Sequence, residues 1–337
     1  MIVLLYASLT LLASAVSAYE KVCRVTPLGG GQDDGPTINN VFAECASEAT
    51  IVLDGYYSVN TLLLTEGLSH VDILLSGTVQ YTADIEYWSP NSLYLTFQNA
   101  SFVYQSTNVT YRNININSFS YSSAPAKNTD GWDIYRSSQV TITDSIINNG
   151  DDCVSLKPNV TEVVVTNLWC NGSHGISVGS LGQYAGETDI VANVFVKNVT
   201  MRYAENGARI KAFGGSPDAN STAGGGTGYV KNVTFEDFYV YVVDDPIVID
   251  QCYFTDASVC EEYPSQLSIS DIHFINVTGT SSGADGTVVV DLECSQECED
   301  ITASGIEVTS PDGPATYVCK NIASTDELGF NCSAPSS

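Results

Sequence analysis

Four polar clusters hold the residues with chemistry to offer: Asn128-Thr129-Asp130-Gly131-Trp132-Asp133, Gly150-Asp151-Asp152-Cys153, Gly172-Ser173-His174-Gly175 and Arg209-Ile210-Lys211. Carboxylates gathered in one groove repel each other, so at least one should hold its proton above the usual range. Acids displaced in that way are candidates for proton transfer. One proton donor and one water-activating carboxylate are what cleavage of a glycosidic bond needs. Arg209 and Lys211 would then supply cations for an anionic sugar. Taken singly, each element has a bland reading. An Asp-Asp pair is usually a turn, one histidine is as often a structural residue as a ligand, and Arg-x-Lys is usually solvated surface. Calcium is a specific rival for the aspartates, but the cations and His174 are expected in the same column.

Spacing argues for reading the clusters together. The steps from Asp130 to Asp151, from Asp151 to His174 and from His174 to Arg209 are 21, 23 and 35. Segments of the form V-x-[FIV]-x-[ND]-[VIF] start near Val109, Val140, Val163, Val194, Val233, Leu267 and Ile301, at steps of 31, 23, 31, 39, 34 and 34. Periods of about 20–50 residues mark a solenoid. Runs such as Ile51-Val52-Leu53, Val71–Leu75, Val140–Thr143 and Val163–Thr166 read as short strands, punctuated by Asn, Gly, Ser and Asp. With no crossover helices between them, the fold expected is all-β: a right-handed parallel β-helix. A β-sandwich would space its strands about 8–12 residues apart and show no coil-length repeat. Equivalent positions on successive coils lie about 4.8 Å apart. Asp130, Asp151, His174 and Arg209 are therefore expected in one column, with Arg209 and Lys211 on one strand face. Near the start, Pro36 follows Asp34-Gly35, and Ile38, Val41, Phe42 and Cys45 share an apolar face. This predicts a short helix over 36–46 that caps the open end of the stack.

The 337 residues carry 12 Lys and Arg against 39 Asp and Glu, a formal charge of −27. That balance argues against broad nucleic-acid or anionic-membrane binding. A polyanionic ligand fits only where the scarce cations are concentrated. Hydrophobic residues make up 44%, enough for a large core. Residues 1–18 read as a secretory signal, with the apolar run 2–18 closing on Val16-Ser17-Ala18, and 19–337 as a single catalytic domain. A membrane anchor would need a longer run, about 20 residues. In a secreted chain ten cysteines imply disulfides, and their order suggests sequential pairs: Cys23–Cys45, Cys153–Cys170, Cys252–Cys260, Cys294–Cys298 and Cys319–Cys332. The clusters lack the Cys-x-x-Cys form of a zinc site. Glycosylation sequons begin at Asn99, Asn108, Asn159, Asn171, Asn198, Asn220, Asn232, Asn276 and Asn331.

At the polar clusters the sequence resembles glycoside hydrolase family 28, the polygalacturonase-like pectin hydrolases of right-handed β-helix fold. The family patterns N-T-D-x-x-D, [QG]-D-D-C, G-H-G-x-S and R-I-K occur in order at Asn128–Asp133, Gly150–Cys153, Gly172–Ser177 (with His174-Gly175 at its centre) and Arg209–Lys211. Gly150 stands where endo-acting members commonly carry Gln, and His174–Tyr184 is similar to fungal exopolygalacturonases. The resemblance implies Asp151 as general acid and Asp130 and Asp152 as the residues that hold and deprotonate the attacking water. It also implies inversion of the anomeric centre, hence acid and base about 6.5–9.5 Å apart. His174 would tune the acid, while Asn128, Arg209, Lys211 and Tyr253 would bind the uronate. No metal or organic cofactor is implied. The expected partner is a polyanionic pectin polysaccharide, galacturonan, bound by a monomer outside the cell.

Two readings stay open beside this one. The first is a xylogalacturonan, rhamnogalacturonan or endo-acting hydrolase of the same family. The second is a weakly active pectin-binding β-helix; a calcium-dependent lyase is a more distant rival. The pectin-binding reading comes from a departure. Family members usually carry a further block of sequence between a strand at Leu93–Asn99 and one near Phe102–Tyr104, whereas here Gln98-Asn99-Ala100 runs straight into Ser101. The interval from Leu93 to Val109 is also too short for one coil, which takes about 20 residues or more. A loss of about two coils near 100/101 is therefore expected, with Leu93–Asn99 stacked directly under Phe102–Tyr104; nearest-neighbour stacking tolerates removal of whole coils.

Overall fold

The alternation of Val160–Asn171 shows how the chain builds a coil. Val160, Val163, Val165, Leu168 and Cys170 point inward, and Thr161, Val164, Thr166 and Trp169 point out. Alternation slips by one residue at Glu162 and again at Asn167, both in the left-handed region (φ 58° and 57°). Each slip turns the strand while keeping its apolar residues inside. The same corner recurs at Asn108, Gln139, Asn193, Asn232, Asp271 and Asp300, each immediately before an inward Val or Ile. Asn and Asp tolerate this conformation better than most residues. At a second corner the side chains bridge neighbouring coils. Asn167 Nδ2 donates to Asp144 Oδ1 (2.8 Å), Asn198 Nδ2 to Asn167 Oδ1 (2.8 Å) and Asn276 Nδ2 to Asp237 Oδ1 (3.1 Å).

The structure is a computed structural model that describes residues 19–82, 101–118 and 127–333. Its strands stack in parallel into a right-handed β-helix with one continuous apolar core. The first wall includes Ser138–Asn148, Val160–Asn171, Thr188–Arg202, Thr227–Val243 and Gln266–Ser281, paired in that order. The second wall includes Trp132–Tyr135, Val154–Leu156, Ile176–Leu181, Asn206–Phe213 and Asp245–Tyr253. A short third wall pairs Tyr56–Val59 with Thr78–Tyr81. Inside the second wall, Ile134, Leu156, Val178, Ile210, Ile249 and Leu292 form one fully buried row.

The cap is the helix Gly35–Glu44, which buries Ile38 and Phe42 in the core. It begins and ends slightly before the expected 36–46. A second helix, Ala257–Glu262, interrupts what reads as continuous strand; Cys260 within it is bonded to Cys252. All five expected disulfide pairs are present.

One register expectation needs correction. The coil after Val233 is matched at Ile272, not Leu267, which pairs with Gly228. The strand Gln266–Ser281 contains two apolar alternations separated by the corner at Asp271, and the repeat reading falls on the first. Ser101–Tyr104 has Thr65–Glu66 and Trp132–Tyr135 as its neighbours in the second wall. Leu93–Asn99, the leader 1–18 and the sequon at Asn99 lie outside the described residues.

Candidate active site

The second wall presents Asp133, Ser155, Ser177 and Arg209 outward at one height, yet all four are buried. Polar side chains buried on an outer face need partners, and these have them. Arg209 Nε donates to Ser177 Oγ (3.0 Å), and Ser177 Oγ donates to Asp152 Oδ1 (2.7 Å). Arg209 Nη2 reaches the same Asp152 oxygen at 2.8 Å, and Lys211 Nζ takes Oδ2 at 2.8 Å. Gly179, at φ 116°, lies where an added Cβ would come within 2.2 Å of the Lys211 carbonyl, so only glycine lets these two coils approach.

Asp151 and Asp152 are chain neighbours and would face opposite ways on a regular strand. Both serve one site because they sit at a corner between Ser138–Asn148 and Val154–Leu156. Asn149 shapes it: the fully buried Nδ2 donates to the carbonyls of Thr129, Asp151 and Asp152, each at 2.9 Å. The Asn128 backbone N–H donates to Asp151 Oδ2 at 3.0 Å. His174 Nδ1 lies 3.3 Å from Asp151 Oδ1, and its Nε2 lies 3.3 Å from Glu205. Tyr253 completes the groove, with Lys211 Nζ 5.4 Å above its ring.

The expected site residues thus meet, but not in one strict column. Arg209 is in register with Ser177, three residues beyond His174, and its long side chain spans the coils to Asp152. One carboxylate oxygen from each of Asp130, Asp151 and Asp152 lies within 4.8 Å of the others. That is tighter than the separation of about 6.5–9.5 Å expected of an inverting acid and base, because two of the three are consecutive residues on a bend. Such a trio could hold a cation, but both Asp152 oxygens already face Arg209 and Lys211. Sequence reasoning gave no role to Lys157, Asp133, Ser177 or Glu205. Lys157 Nζ lies 3.1 Å from Asp133 and 3.8 Å from Asp130. Its one legible signal is scarcity, a cation two residues past Ser155 in a chain with few.

The three carboxyls differ in proton affinity. Burial pushes Asp130 well up, and the charge of Asp133 adds to it against Lys157. Burial also raises Asp133, to about 6, despite Lys157. Burial acts the same way on Asp152, but Lys211, Arg209 and Lys157 outweigh it and hold that carboxyl far below the usual range. For Asp151 burial is outweighed by the hydrogen bond and charge of His174, so its carboxyl is lowered. His174 is raised in turn, chiefly by that hydrogen bond. The expected displaced acid exists, and among these three it is Asp130.

The profile of Glycosyl hydrolases family 28 matches residues 92–329. The chain belongs to glycosyl hydrolases family 28. Probable exopolygalacturonase X of Aspergillus fumigatus is 39% identical over 384 residues, covering 93% of this chain and 89% of the relative. Exopolygalacturonase X-1 of Emericella nidulans is 38% identical over 387 residues, covering 94% and 89%. Both aligned lengths exceed the 337 residues here, so these relatives carry segments this family 28 chain lacks. Endo-xylogalacturonan hydrolase from Aspergillus tubingensis has a solved structure with a TM-score of 0.73 and 28% identity, covering 94% of this chain and all of the other.

Proposed function

We propose that the chain is a secreted, monomeric, exo-acting hydrolase of α-1,4-linked galacturonan. The observation that carries this reading is the clasp of Asp152 by Arg209 and Lys211 beside two further carboxyls. It concentrates cations in a chain of −27 at a groove that also holds candidate acids. An acidic protein can accept an acidic polymer only in such a place. The likeness to two fungal proteins named exopolygalacturonases supports the exo mode. Five disulfides suit an oxidising compartment. Among the described residues no helix is long and apolar enough to cross a membrane.

In the mechanism we infer, Asp151 protonates the leaving oxygen, drawing on the proton it shares with His174. Asp130, whose carboxyl holds a proton most strongly, is the better acceptor once ionised and takes one from the attacking water. Asp152 stays ionised and fixes Arg209, Lys211 and Ser177, which with Asn128 and Tyr253 receive the uronate. Inversion is the outcome we infer, because Asp152 has both oxygens engaged and is a poor nucleophile. The nearest oxygens of these carboxyls lie closer together than the about 6.5–9.5 Å usual between an inverting acid and base, so the stereochemistry is tested directly. Proton NMR of the first product decides it: β-galacturonate signifies inversion, α-galacturonate retention. Incubation with polygalacturonate tests the function itself. Release of monomer alone supports exo hydrolysis, mixed oligomers would replace it with an endo mode, and an unsaturated product would replace it with a lyase. The likeness to the xylogalacturonan enzyme gives a second reading, tested by offering xylose-substituted polymer beside the bare one.

A further inference from the structure

The outer face of the first wall carries a stripe of aromatic rings that the groove does not use. Ile146, Trp169, Thr200 and Tyr239 stand side by side in register on four successive coils, and Asn148, Asn171, Arg202 and Tyr241 form the parallel row two residues on. Trp169, Tyr203 and Tyr239 are 42%, 55% and 49% exposed. A shallow depression of about 310 Å³ runs beside them, lined by Ile146, Leu168, Trp169 and Thr200, with Asn167 and Asn198 at its edge. Asp144 also lines it and accepts a hydrogen bond from Asn167. The Arg202 guanidinium lies 5.2 Å from the Trp169 ring, 5.4 Å from Tyr203 and 5.0 Å from Tyr241. Among the described residues no carboxylate pairs with Arg202, whereas Arg24, Lys157, Lys197, Arg209 and Lys211 each meet one.

Arg202 is thus a cation held among three aromatic rings, with its guanidinium not committed to a carboxylate among the described residues. Rings of this kind offer flat apolar faces to the C–H side of a pyranose, and guanidinium offers paired donors to a carboxylate. A neutral sugar would use the rings and leave Arg202 without purpose; an anionic one uses both. The face also leads to the groove. Arg202 ends its strand, and three residues later Glu205 meets His174. We propose that this face is a second binding site for the polymer, an anionic polyuronate chain, held by Trp169, Arg202, Tyr203 and Tyr239 around the corner from the groove. The choice of polyuronate rests on the function proposed above.

The test is affinity electrophoresis through gels containing polygalacturonate, with the full chain carrying Asp151→Asn so that the polymer survives. Asn171 is the register neighbour of Arg202 and a sequon, so the protein is first freed of N-linked glycans. Adding Arg202→Ala should weaken retention about tenfold, the loss expected of one charge-assisted contact. Tyr239→Ala, at an exposed ring, should weaken it in the same direction. In the otherwise unaltered chain, Arg202→Ala should leave kcat/KM on trigalacturonate within about twofold, since a short substrate reaches only the groove. Unchanged polymer retention in both variants would overturn the proposal, as would equal losses on polymer and trimer, or equal retention of a neutral arabinan. A chain that retains polymer through Arg202 but hydrolyses no galacturonan would remove the catalytic reading and leave this one standing.

Discussion

Asp151 and Asp152 share a corner and differ in every electrostatic respect. Asp152 is buried between two cations, while Asp151 is exposed enough to exchange a proton with His174. Asp151→Asn keeps the shape and removes the proton, so kcat on galacturonan should fall by about 10²–10⁴-fold with the melting temperature unchanged, as expected for loss of a general acid. A variant hydrolysing at the parent rate would remove the assignment. In the proposed mechanism His174 sets the alkaline limb. The Asp151–His174 couple must hold one proton, and activity is lost as pH rises through the raised His174 pKa. His174→Gln leaves Asp151 to titrate alone, so the limb of kcat/KM should move toward the ordinary carboxylate range, about 4. A limb that stays in place would argue that another group supplies the proton. At this scale the sequence is legible where residue types are scarce: cations and histidines are few, so Arg209, Lys211 and His174 stand out. Lys157 and Ser177 do not, because their roles depend on which neighbour lies one coil away.

At the scale of a corner, Asn149 and the asparagine columns do the positioning. Asn149→Ala removes one donor from three carbonyls, leaving that of Asp151 to the His174 N–H and the Ser173 hydroxyl and that of Asp152 to the Gly131 N–H. The cost should be about 2–4 kcal/mol of stability, and activity should fall with it because both aspartates lose their bend. Urea unfolding and initial rates on one preparation measure both; a stable but inactive variant would mean that Asn149 touches substrate instead. The columns also bear on glycosylation. The amide nitrogens of Asn198, Asn232 and Asn276 donate to Asn167, Asn193 and Asp237 of the adjacent coil. Asn220 is exposed in a turn. Glycopeptide mapping should find Asn220 occupied and those three bare; glycans at the three would show that the ladder does not protect them. The same corners explain where the repeat misleads. Coil length nearly doubles between the step from Ala49 to Val71 and the step from Val194 to Val233, so the period announces a solenoid without fixing each match. Leu267 reads like Ile272 because both begin an apolar alternation within one long strand.

For the molecule as a whole, the acidic surplus sets the pH at which the fold is most stable. Burial and its hydrogen bond to Asp285 raise Asp245 to about 8, and burial with Glu293 raises Asp291 to about 7. Carboxyls raised by folding favour the native state fully below their unfolded value, about 3.9, and that contribution is lost as pH rises through the folded one. Asp152 runs the other way: its contribution is present above about 3.9 and is lost only as the medium becomes strongly acidic. Melting temperature should therefore decline between about pH 5 and 8 as these buried acids ionise. Asp245→Asn should raise it at pH 8, by roughly 2–4 °C for each kcal/mol relieved, and change it little at pH 4.5. Equal effects at the two pH values would place the benefit elsewhere.

The far end of the stack is closed by a tail rather than a helix. Along the last strand, Thr316–Ile322, the Cys319 N–H donates to the Ser333 carbonyl and the Ser333 N–H to that of Tyr317. Phe330 stacks on Tyr317 with ring centroids 4.4 Å apart. The bond between Cys319 and Cys332 ties that tail down. Opening it with a reductant would bare a row of amides and carbonyls suited to pairing with another chain. Loss of this one clamp should therefore show as end-to-end fibre growth before any loss of secondary structure, visible by light scattering.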